Sequence, residues 1–132
     1  MPIDPKKANQ IATDYAAAWS SGIAANVASF YAADGRIVIN SGDPIEGTAA
    51  LVEMATGFYA EFPDLVVHLD ELRTAGDHMV FMWTLEGTHS ETGNRVKVPG
   101  WEEWTMGDDG KVTASLGWFD AAEYERQIAE GV

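Results

Sequence analysis

The hydrophobic period of the chain changes near its middle. Up to Phe62 apolar residues recur every three or four positions, and from Leu65 they tend to recur every second one. Asp4-Pro5 opens a first helix, with an N-cap side chain followed by proline at the first helical position. Ile11, Tyr15 and Trp19 mark its buried face up to Ser21-Gly22. A second, short helix holds Val27, Phe30 and Tyr31 and stops around Asp34-Gly35. Arg36 to Ile39 is a short β-branched strand, closed by the turn formers Asn40 to Pro44. Gly47-Thr48 opens a third helix with the stripe Leu51, Ala55, Phe58 and Phe62, ended by Pro63-Asp64. Strands follow over Leu65 to Thr74, His78 to Thr88, Arg95 to Met106 and Lys111 to Phe119, separated by glycine turns. Pro99-Gly100 inside the third of these predicts a bulge or bend. Asp120 to Glu123 has capping-box spacing and starts a C-terminal helix through Tyr124 and Ile128. Helices followed by hairpin-linked strands make an α+β pattern, a cone with an apolar interior suited to a small ligand.

The 132 residues, 46% hydrophobic and 22% charged, suit one domain over residues 1–132. With no cysteine, disulfides, thiolate nucleophiles and cysteine-ligated zinc are excluded. The formal charge of -13 repels phosphate backbones and anionic lipids, so neither nucleic acid nor a membrane surface is an expected partner. No stretch reaches the roughly 20 apolar residues of a membrane span. The opening MPIDPKKANQ is polar, unlike a signal peptide, and its Met-Pro reads as a native start. A cytoplasmic location is expected.

The order α-α-β-α-β-β-β-β-α and several segments resemble the NTF2-like superfamily over essentially the whole chain. The carrying segments are YAAAWSSG (Tyr15 to Gly22), FYAADG (Phe30 to Gly35), EGTAAL (Glu46 to Leu51), WTLEGTH (Trp83 to His89) and GKVTASLGWFD (Gly110 to Asp120). The tail looks most like SnoaL-like polyketide cyclases, while Tyr15 and the GTAAL run resemble ketosteroid isomerases. The resemblance implies an NTF2-like cone: three N-terminal helices packed on a curved mixed or antiparallel sheet, with a short C-terminal helix. It fixes no reaction, because isomerases, cyclases, dehydratases, epoxide hydrolases and non-catalytic binding domains share this superfamily.

Tyr15 stands where the isomerases carry an oxyanion-stabilising tyrosine, and Tyr31 matches a supporting one. As plain helix-face aromatics, both would simply pack against the sheet. Glu102 shares a strand face with Trp104 and Met106 by alternation, so it leans into the apolar interior; otherwise a shift of one residue puts Glu103 there, or both glutamates lie at the solvated rim. It aligns, allowing one inserted residue at Pro99-Gly100, with a protonated aspartate of the isomerases. A carboxyl in such a pocket is driven towards neutrality and can donate to an oxyanion.

The isomerase base position falls on Ile39 or Asn40, and the acid position of the cyclases and epoxide hydrolases falls on Gly117. Both are vacant of a carboxylate. His68 and His89 are the carriers for an alternative base, although a solvated or hydrogen-bonded histidine is the plainer reading of each, as of His78. Trp19, Tyr31, Asn40, Phe58, Trp83, Trp104 and Phe119 are the expected ligand-binding residues. No phosphate loop, nucleotide fingerprint, serine nucleophile motif or metal-spaced acid cluster occurs, so no metal or organic cofactor is expected. Leu116 and Trp118 face out from the last strand and point to a homodimer through the outer sheet face.

Two functions follow. One is a SnoaL-like domain that binds a small, largely apolar, carbonyl-bearing ligand in an aromatic pocket. It would carry out cofactor-free isomerase, cyclase or dehydratase chemistry, with Tyr15 and Glu102 polarising the carbonyl. The other is a non-catalytic dimeric binding or accessory domain of the same fold.

Overall fold

The computed structural model describes residues 3–132, so the Met-Pro start lies outside the described residues. Helix α1 (Pro5–Ser20) begins at Asp4, whose side chain accepts from the Lys6 N–H at 3.0 Å. Its buried face is Ala8, Ala12, Tyr15 and Trp19. Small alanines let the helix sit close to β3 (Val66–Ala75), and Ser20 fastens the two by accepting from the Val67 N–H at 3.0 Å. Helix α2 (Ala24–Ala28) is a single turn, and α3 (Thr48–Glu61) packs beside it. Helix α4 (Ala121–Glu130) starts at the cap Asp120, whose carboxyl accepts from the Glu123 N–H at 3.0 Å.

Strands β1 (Tyr31–Ile39), β2 (Ile45–Glu46), β3, β4 (His78–Thr88), β5 (Arg95–Met106) and β6 (Val112–Phe119) form one mixed sheet in the order β2-β1-β6-β5-β4-β3. Among the described residues only the β1–β6 pairing is parallel. The sheet is open, not a closed cone, and the helices cover its inner face. Alternation along β4 and β5 puts Met79, Phe81, Leu85, Val96, Val98, Trp104 and Met106 in the core. Trp104, Tyr15, Phe62 and Phe81 are its largest fully buried side chains. Each contributes about 1.5–3 kcal/mol by leaving water. Ile11 and Phe58, expected in the core, are only half-buried; Ile11 lies at the rim near Gly110, and Phe58 borders a cavity. Among the described residues no helix is long and apolar enough to cross a membrane.

Three expectations are corrected. The second helix does not reach Tyr31: α2 ends at Ala28, and β1 already begins at Tyr31, opposite Val112. Between Tyr31 and Arg36 the pairing slips, and Gly35 sits so tightly that a Cβ would lie 2.8 Å from the Val112 carbonyl oxygen. That irregularity hides the strand period of FYAADG, and Asp34-Gly35 reads as a helix stop. The second correction is β2, which the turn formers around it conceal; it pairs with Arg36 and Ile37. Third, Pro99-Gly100 makes no bulge. The β4–β5 register runs unbroken from Thr88↔Arg95 to His78↔Thr105. Pairing with β6 starts at Gly100↔Phe119, so Pro99 lies beyond that neighbour, where a missing N–H leaves no gap in the ladder.

Candidate functional site

A cavity of about 60 Å³ lies between the inner sheet face and the helices. Trp19 of α1, Phe58 of α3, Trp83 of β4, Phe119 of β6 and Tyr124 of α4 give it an aromatic wall. Ile37, Ile39, Met54, Val67, Leu85 and Val98 complete the apolar lining. Among the described residues Glu102 is the one carboxyl on it, beside Gly117, its cross-strand partner. The bare Gly117 matters for space: a Cβ there would lie 3.8 Å from Glu102 Cγ. Gly100 shapes the same wall, because its missing side chain leaves room for the Trp83 ring; a Cβ would come within 2.4 Å of it.

Glu102 is held by neutral donors from three strands and a helix. Tyr15 of α1 and Tyr31 of β1 donate to its Oε1 at 3.2 Å each, Trp104 Nε1 of β5 at 3.0 Å and Ser115 Oγ of β6 at 2.9 Å. The two tyrosine hydroxyls also meet each other at 2.9 Å. Rings brace the group: Trp104 stacks on Phe81 at 5.2 Å, and Tyr15 stands edge-on to Trp104 at 4.9 Å. Among the described residues Oε2 of Glu102 takes no hydrogen bond. Burial raises the Glu102 carboxyl above the usual glutamate range, and the four donors offset this only in part. Burial, reinforced by the nearby carboxyl, holds the Tyr15 and Tyr31 phenols well above the ordinary tyrosine value.

The sequence candidates therefore separate. Trp19, Phe58, Trp83, Phe119 and Glu102 meet at the cavity. Glu103 points to the outer face, where it accepts from Trp101 Nε1 at 3.1 Å. Tyr15, Tyr31 and Trp104 are buried behind the wall with their donors directed at Glu102. Asn40 is also off the wall: its side chain accepts from the Phe119 N–H at 2.9 Å and ties β1 to β6. His68 lies on the outer sheet face, exposed and 3.3 Å from Glu86, because strand alternation puts it opposite to Val67. His78 is exposed beside Asp77. His89 is buried but off the cavity wall: its Nδ1 accepts from the Thr92 N–H at 3.3 Å, and its Nε2 faces Glu61 at 3.6 Å.

Sequence reading missed Tyr124 on the wall. It packs on Phe119 at 5.3 Å and Phe62 at 6.0 Å, and its hydroxyl donates to Glu61 at 3.4 Å. The signal was its place one turn into a capped helix that follows the last strand. Among the described residues no three His, Asp or Glu side chains gather into a metal-binding group.

The family model for the SnoaL-like domain matches residues 12–115. No curated protein matches the chain in sequence. Solved structures share the fold. One is a hypothetical protein with a ketosteroid isomerase-like fold from Catenulispora acidiphila, in complex with trimethylamine. It is 20% identical with a TM-score of 0.84, over 91% of this chain and 92% of that one. A candidate SnoaL-like polyketide cyclase from Jannaschia sp. CCS1 is 18% identical with a TM-score of 0.81, over 100% and 99% of the two chains. AclR, a candidate hydroxylase from Streptomyces galilaeus, is 19% identical with a TM-score of 0.83, over 96% and 98%. At such identities the likeness carries the α+β NTF2-like fold and no reaction.

Proposed function

The chain belongs to the SnoaL-like domain family, and from that premise we propose that it binds a small, largely apolar molecule in the aromatic cavity, with Glu102 meeting the ligand's polar end. The observation that carries this reading is a carboxyl with one oxygen ringed by four donor groups and the other, among the described residues, without a hydrogen bond, on an otherwise aromatic and aliphatic wall. Buried carboxyls are costly unless something answers them. The cavity is small, about 60 Å³, so the ligand is small or displaces the flexible Met54 side chain on entry.

Acid–base chemistry is the second reading, favoured by the raised Glu102 carboxyl. A carboxyl raised in this way can give a proton to a carbonyl oxygen, and its anion can take one from a carbon next to it, as isomerase, cyclase and dehydratase reactions require. Tyr15, Tyr31, Trp104 and Ser115 would then act through Glu102, positioning it and setting its affinity for the proton.

The test is a fragment titration followed by the indole N–H signals in NMR. Small apolar molecules should move Trp19 and Trp83 while leaving Trp101 on the outer face unchanged. Gly117→Leu, which fills the cavity beside Glu102, should abolish the response. Signals that move only on the outer face, or a response that survives Gly117→Leu, would contradict a ligand in the cavity.

A further inference from the structure

The question left by the cavity is what polar group a ligand brings to Glu102. Among the described residues no lysine, arginine or histidine lines the wall, so the chain supplies no countercharge there. The donors on Oε1 are two phenols, an indole and a hydroxyl, all neutral. The four donor groups around one oxygen favour the charged carboxylate, whereas burial opposes that charge and outweighs them. The charged form of this buried acid lacks a countercharge, and a cation placed at the free oxygen would favour it. The remaining wall suits one: the rings of Trp19, Phe58, Trp83, Phe119 and Tyr124 carry negative faces that attract an ammonium within about 6 Å. The aliphatic side chains between them suit alkyl groups. The net charge of -13 also draws cations towards the protein and repels anions.

We infer that the ligand's polar end is a protonated amine, a small alkylammonium whose N–H or N⁺ faces Glu102 and whose alkyl groups fill the aromatic cavity. This rests on the cavity being the ligand site. A neutral carbonyl compound would need Glu102 to keep its proton, and it would gain nothing from the ring faces. Binding an ammonium instead supplies the countercharge that the wall lacks and so favours the carboxylate form.

Three probes of similar size separate the alternatives: tert-butylammonium, tert-butanol and acetone, titrated at neutral pH with the Trp19 and Trp83 indole signals as readout. The ammonium should bind at least tenfold more tightly than the alcohol or the ketone. Glu102→Gln should abolish that preference. If the variant does not fold, the comparison in the wild-type protein decides alone, since ammonium and alcohol share one shape. The preference should also shrink as the pH falls and Glu102 takes up its proton. The groups facing Glu102, Tyr15 of α1 and Tyr31 of β1, and Tyr124 of α4 on the cavity wall, have their phenol values raised above the ordinary tyrosine value and stay neutral in that range. Equal binding of all three probes, or tighter binding of acetone, would overturn the ammonium inference and leave the cavity reading standing. No response at Trp19 or Trp83 to any probe would overturn both.

Discussion

Glu102 joins four elements through one oxygen, so its charge state is written into the stability of the fold. Its carboxyl is raised on folding above the unfolded value of about 4.3, so the folded chain holds the proton more tightly. The stability linked to this group is fully present below that unfolded value. It is lost as the pH rises through the higher folded one. Glu102→Gln, which cannot titrate, should flatten that part of the stability profile; urea unfolding across pH 4 to 8 checks it, and an unchanged slope would contradict it. Tyr15→Phe removes a hydroxyl that lies between Oε1 and the Tyr31 hydroxyl. It should cost about 1–2 kcal/mol in urea unfolding. It should also raise the Glu102 carboxyl further, because a donor that favours the anion is gone; a lowered value would contradict this. The inward direction of Glu102 was legible from its alternation with Trp104 and Met106. The partners of Tyr15 were not: its hydroxyl lies on a helix 87 residues away in sequence, and a helix stripe does not say where a phenol's tip ends.

At the scale of elements, β5 carries the site because its inner row is Val98, Gly100, Glu102 and Trp104, with a gap where Trp83 needs room. Gly100→Ala would push a Cβ into the Trp83 ring and towards the Trp118 carbonyl oxygen, 2.5 Å away. It should destabilise the protein by about 1–3 kcal/mol and shift the Trp83 indole signal. Gly117→Ala meets only ordinary contacts of 3.6–3.8 Å, so it should fold with near wild-type stability and weaken fragment binding beside Glu102. Thermal unfolding of the two variants side by side is the check; equal losses would contradict this account of the wall. The long strands and the capped helices were legible from period and caps. The junction at Tyr31 to Gly35 was not, since a slipped pairing breaks the alternation that marks a strand, and β2 is too short to show a period at all.

For the whole molecule, the outer sheet face is the other unfinished surface. Trp101 and Leu116 are each 42% exposed there, and Trp118, opposite Trp101 in the sheet, has a buried Nε1 with no acceptor. Four of the chain's eight cations, Arg36, Arg73, Arg95 and Lys97, lie on strands at positions of this face, among Glu46, Asp70, Glu71, Glu86 and Glu103. The face is thus close to neutral in a chain of charge -13, and a second copy can meet it without setting acid against acid. The geometry points to a homodimer packed sheet against sheet, with Leu116 and Trp118, the residues singled out in the sequence, joined by Trp101. Light scattering at micromolar concentration should give twice the chain mass, and Leu116→Glu should halve it. A wild-type monomer would contradict the pairing and leave the cavity untouched, because the two lie on opposite faces of the sheet.

The most direct test of the site is an NMR titration of the Glu102 side-chain carboxyl, run with and without tert-butylammonium. The expected midpoint lies above about 4.3 in the free protein and moves down when the ammonium is present, since a cation beside the group favours its charged form. A midpoint at the ordinary glutamate value that no cavity-sized molecule shifts would contradict Glu102 as the buried acid of a binding site.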